Sequence, residues 1–163
     1  MKKGVLVAAI LILIATIILE CLIFLHIVRL PFIQITFMGL THSPTHWVGW
    51  IGTIYIAITA PILPLVIKKA PKLTGKVLNM HILGNVIAIL FISVHFAHQV
   101  TRSLSRYPDL GTGIVLYVSM ISLVATGLML FSGKGYPKAC RFFHPAFVLV
   151  FYLVIIMHIV HGI

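Results

Sequence analysis

Nine of the 163 residues are histidine, and the spacing of four of them is the feature of this sequence closest to chemistry. His81 and His95 stand 14 residues apart, and so do His144 and His158. On a helix, 14 residues bring a side chain back to within about 40° of the same face and lift it by about 21 Å along the axis. Two helices carrying such pairs, if parallel, set His81 level with His144 and His95 level with His158. Neutral imidazole is the commonest protein ligand for metals, and one imidazole on each axial face is a standard way of holding haem iron. The pattern therefore predicts two bis-histidine haem b groups, one above the other. A lone membrane histidine is as well explained by a hydrogen bond between helices, but four matched in spacing and depth argue for ligation. His98 and His161 form a second matched set, each 17 residues beyond the first member of its helix. Seventeen residues leave a side chain about 100° off the starting face, so His95 and His158 are the expected ligands. His98 and His161 are expected to contact haem propionates or a quinone headgroup, or to sit at the membrane surface.

The elements that must position these residues follow from composition. The chain is 61% apolar and 9% charged, with a mean hydropathy of +1.17. A soluble domain of this size leaves roughly a third of its unfolded surface exposed, which this composition does not suit, so lipid is the expected solvent. Five apolar runs are long enough to cross a bilayer, which takes about 20 residues. They cover about 4–28, 47–67, 77–100, 111–131 and 142–161. The expected fold is an all-α membrane protein of five transmembrane helices, with spans two to five forming a four-helix haem-binding bundle. The whole of 1–163 reads as one transmembrane domain. Residues 1–46 form a retained anchor helix and a segment lying along the interface, and 47–163 form the bundle. The third and fifth spans, separated by one span, run parallel, as the histidine pairing requires. Pro61 and Pro64 are expected to kink or loosen the end of the second span.

The net charge of +10 might suggest nucleic acid, but the cations lie in short loops where headgroups and membrane orientation account for them. Lipid, not nucleic acid, is the expected partner. With five spans, Lys2, Lys3, Lys68, Lys69, Lys72, Lys76, Lys134, Lys138 and Arg141 share one side, against Arg29, Arg102 and Arg106 on the other. The positive-inside rule then places the N-terminus in the cytoplasm and the C-terminus outside the plasma membrane. Cys21 and Cys140 show no disulfide pattern, and the sequence has no Cys-x-x-Cys-His, which excludes covalent haem attachment.

The pairs His81…His95 and His144…His158, with Thr126-Gly127-Leu128 before the second pair, resemble the di-haem core of quinone-linked membrane cytochromes b. This group includes cytochrome b561 and the cytochrome b subunit of Ni-Fe hydrogenase. The resemblance covers about residues 47–163. It implies electron transfer between a membrane quinone pool and a partner redox protein, with quinone as a second ligand. The hydrogenase group draws its ligands from more helices. The two-helix pattern is closer to the cytochrome bc core or to ferric-reductase domains.

Around that core, Gly84 and Gly127 are expected to let a macrocycle approach the backbone, or to serve helix packing. Lys76, Lys138 and Arg141 flank the first histidine level, and Arg102 and Arg106 the second, in places suited to neutralising propionates or meeting headgroups. Glu20 is the single carboxylate within a span, and such residues are functional candidates by default. Glu20 or His26 is expected to handle protons during quinol oxidation, the alternative being a neutral Glu20 bonded to a neighbouring helix. His42 and His46 read as solvated loop histidines, with a surface metal or quinone site as the alternative.

The leading expectation is an electron-transfer subunit of a respiratory oxidoreductase complex rather than a complete enzyme, working between quinone or quinol and other subunits. A self-sufficient transmembrane reductase of ferric or small oxidants is the second reading. A histidine-based metal-ion transporter is the third, although transporter sites gather near the midplane and these histidines divide into two levels.

Overall fold

The computed structural model describes residues 2–31, 33–37, 39–101, 110–133 and 138–162, with the side chains of 2, 110, 161 and 162 outside that description. It is a bundle of five helices, each long and apolar enough to cross a bilayer, which makes the chain a multi-pass membrane protein. They are α1 (Lys2–Phe24), α2 (Pro44–Lys69), α3 (Thr74–Val100), α4 (Leu110–Ser132) and α5 (Ala139–Gly162). A short hairpin of β1 (Ile35–Phe37) and β2 (Leu40–His42) precedes α2, and a 3-10 turn (Pro71–Leu73) precedes α3.

Local chemistry sets the boundaries. α1 ends four residues earlier than the apolar run suggests, because His26 adopts the left-handed conformation (φ 57°) just past the helix. The amide of His26 then reaches Ile23 O and that of Ile27 reaches Leu22 O, both at 3.0 Å. These are the two reversed bonds of a Schellman ending, normally built with glycine. The segment expected to lie along the interface is not uniform. It contains the antiparallel hairpin, with Ile35 opposite His42 and Phe37 opposite Leu40. Its last residues open α2, where Ser43 is the N-cap and Pro44 takes the first helical position. Pro61 and Pro64 do not end α2, which runs on to Lys69. In membrane helices, neighbouring groups and small backbone adjustments accommodate the lost amide.

α3 is the central helix: a third of its span is buried, against 11% for α2 and α5. It packs along α2, α1 and α4, while α5 leans on α4. The N-terminal helix is therefore packed against the bundle along α3. Ala9 is fully buried in a cluster with Ile82, Val86 and Phe131, joining α1, α3 and α4. Further along α1, Glu20 accepts hydrogen bonds from the Tyr117 hydroxyl at 2.8 and 2.9 Å, and that hydroxyl lies 2.8 Å from Ser93 Oγ. This clasp ties α1, α4 and α3 in one network.

Two histidine-lined cavities

α3 and α5 face one another across two cavities separated by an apolar layer. His81 and His144 line the first, together with Asn85, Gly127 and apolar residues of α2 to α5. His95 and His158 line the second, with His42, His46, Gly49 and Trp50. Each spans about 620 Å³ of empty space, counting the part open to the surroundings. The layer between them is one helical turn thick. Ile89, Met120 and Phe151 close the first cavity, and Ile92, Leu116 and Ile155 close the second. All six belong to one packed cluster. In this way the 14-residue spacing becomes two separate chambers, each offering an imidazole from opposite walls.

α4 supports both α5 histidines in the same manner. Thr126 Oγ1 lies 2.9 Å from His144 Nδ1, and Thr112 Oγ1 lies 2.9 Å from His158 Nδ1. The residue after each threonine is a glycine against the same ring. A Cβ on Gly127 would sit 3.2 Å from His144 Cε1, and one on Gly113 would sit 3.7 Å from His158 Cε1. On α3, Asn85 Nδ2 is 3.2 and 3.3 Å from the two ring nitrogens of His81, and its Oδ1 accepts from Thr59 of α2 at 3.1 Å. His95 is held differently, against the backbone of α2. A Cβ on Gly49 would be 2.9 Å from His95 Cγ.

The remaining candidates separate clearly. His98 is 1% exposed and does not line the second cavity. Its Nδ1 is 2.6 Å from Thr45 Oγ1, which in turn meets Ser43 Oγ at 3.0 Å. His98 thus fastens α3 to the first turn of α2 and lies buried between helices, not at the surface. His26 is exposed and caps α1. Glu20 lines neither cavity and has the neighbouring-helix partner already described. Gly84 makes room for Tyr55 and not for a ligand. A Cβ there would overlap the Tyr55 hydroxyl, which donates to Met80 O at 3.0 Å. Lys76, Lys138 and Arg141 are exposed and line neither cavity. Arg102, Arg106 and the His161 side chain lie outside the described residues.

His42 and His46 are not merely solvated. Their rings stack at 4.1 Å, and His46 meets the His95 ring edge-on at 4.8 Å. The second cavity therefore gathers four histidines. Their convergence depends on the hairpin folding back over α2, which no local periodicity reveals. The threonines did leave a readable signal. Thr112-Gly113 and Thr126-Gly127 repeat at the same 14-residue interval as the histidines they support.

What the arrangement offers is two cavities, each with one imidazole from α3 and one from α5, the first among mostly apolar side chains and the second among further histidines. No protein-family model matches this chain, and neither does any curated protein or solved structure.

Proposed function

We propose that this chain is a membrane di-haem cytochrome b. It carries electrons across the bilayer between a quinone pool and a partner redox subunit or carrier. The observation that carries the reading is the sorting of the four histidines into two cavities. His81 and His144 line one, His95 and His158 the other, about 21 Å apart by helix rise. The residues suit the group: His81 with His144, and His95 with His158, would hold the iron from opposite walls, and the apolar side chains would accept the macrocycle. Gly127 removes the side chain that would press on the His144 ring.

Haem iron, when bound, supplies one-electron transfer. The chain's own contribution is positional. Thr126 and Thr112 orient the α5 imidazoles, Asn85 and Gly49 constrain those of α3, and the layer of Ile89, Met120 and Phe151 keeps water from joining the two chambers. His42, His46 and Trp50 line the second chamber beside His95 and His158 and are the groups offered to propionates or a quinol ring there. The nine-to-three distribution of cations supports a cytoplasmic N-terminus.

The second reading is a histidine-based metal-ion transporter, although among the described residues no three histidine, cysteine or carboxylate side chains converge closely enough to hold an ion. A dithionite-reduced minus oxidised optical spectrum of the purified protein, with pyridine haemochrome quantification, separates the two. About two haems per chain with a bis-imidazole α-band is the expected result. Protein that folds in detergent yet never acquires haem would overturn the cytochrome reading and leave the metal-ion one.

A further inference from the structure

We infer that Thr126 and Thr112 are positioning residues that hold the α5 histidines of both sites in the Nδ1–H form, so that each presents its Nε2 lone pair to its cavity.

The argument begins with a count of protons at Thr126. Its hydroxyl has one hydrogen. Oγ1 lies 2.7 Å from Ser122 O and 2.9 Å from His144 Nδ1. A backbone carbonyl accepts and never donates, so the hydroxyl hydrogen goes to Ser122, one turn back along α4. What remains at Oγ1 is a lone pair, and the nitrogen facing it must carry the hydrogen. His144 is thereby set as the Nδ1–H tautomer, and Nε2 is its acceptor nitrogen. Such a partner fixes both the tautomer and the ring orientation of a ligating histidine and raises its basicity. Thr112 stands at the same 2.9 Å from His158 Nδ1. The dipeptide Thr-Gly recurs after 14 residues on α4, as the histidines do on α5. On that likeness of distance and spacing, the same device is assigned to the second level. The α3 side is built otherwise: Asn85 approaches both ring nitrogens of His81. At the first site the α5 ligand is thus the more electron-donating wall.

The inference about tautomers concerns the chain alone; its effect on iron rests on the cytochrome reading above. The two parts are tested separately. In haem-free protein in lipid bilayers, ¹⁵N chemical shifts of His144, assigned by loss of its signal in His144→Ala, report which nitrogen is protonated. The expected result is Nδ1–H in the unaltered protein and a smaller Nδ1–H share in Thr126→Val, where the Leu123 carbonyl still faces the ring. An Nε2–H tautomer in the unaltered protein overturns the inference without any threonine variant. In haem-loaded protein, removing an outer partner of a metal-bound histidine changes metal affinity about 10- to 100-fold. Felt mainly by the ferric state, a tenfold change raises the one-electron potential by about 59 mV. Thr126→Val should raise one of two potentials and Thr112→Val the other, with Thr→Ser restoring each. Potentials unmoved by both valine variants overturn the inference. A chain that takes up no haem refutes the cytochrome reading, and the ¹⁵N result still decides the tautomers.

Discussion

Adding one methyl group at Gly49 should damage the His95/His158 site while sparing the other. The Cβ of Gly49→Ala would stand 2.9 Å from His95 Cγ and 3.0 Å from His95 Cβ. Carbon atoms rest at about 3.5–4.0 Å, so the shortfall is roughly 0.5 Å or more. The crowded atoms are the root of the side chain and not its flexible end, so α2 must move from α3 or the imidazole must leave its rotamer. Overpacking of this kind costs about 1–3 kcal/mol. If haem-free protein relaxes the strain, haem binding at that level weakens roughly 5- to 150-fold. Gly127→Ala meets His144 at 3.2 Å and should be milder, and Gly113→Ala meets His158 at 3.7 Å, an ordinary contact. The assay is haem per chain and reduced minus oxidised spectra of the three variants in one detergent. The expected order of loss is Gly49→Ala, then Gly127→Ala, then Gly113→Ala, with the first two depleting different haems. Equal behaviour of Gly49→Ala and Gly113→Ala would refute the reasoning, as would loss of the His81/His144 haem on changing Gly49.

His98→Ala should keep both haems yet lower stability by about 1–3 kcal/mol, because the buried Thr45 hydroxyl loses its imidazole partner. Denaturant titration beside haem quantification checks this, and loss of one haem would mean that His98 and not His95 is the ligand. Tyr117→Phe removes the clasp to Glu20 and Ser93 and should cost about 0.5–1.5 kcal/mol. Glu20→Gln, which keeps an acceptor for Tyr117, should cost less and leave quinol-driven haem reduction unchanged. Slower reduction with unaltered melting in Glu20→Gln would instead assign Glu20 a proton-handling part.

Much of this protein can be read from residue order, and the division has a physical basis. The five spans follow from the length of apolar runs, because crossing a bilayer is a requirement on each segment by itself. The sorting of His81 with His144 and His95 with His158 follows too. Helix rise and period are local constants, and alternate spans must run parallel. Rotation of each helix about its axis is another matter. Lipid is as apolar as a neighbouring helix, so the face turned inward carries no stronger hydrophobic signal than the face turned outward. Packing alone decided that Gly84 receives Tyr55, that His98 binds Thr45, and that Glu20 reaches Tyr117 across two helices. It also decided that α1 joins the bundle through Ala9 and that the hairpin carries His42 over the second cavity. The threonine supports lie between these cases. Their 14-residue repeat stands in the sequence, but only the approach of α4 to α5 brings a hydroxyl to each imidazole, because that contact depends on which faces two neighbouring helices turn to one another.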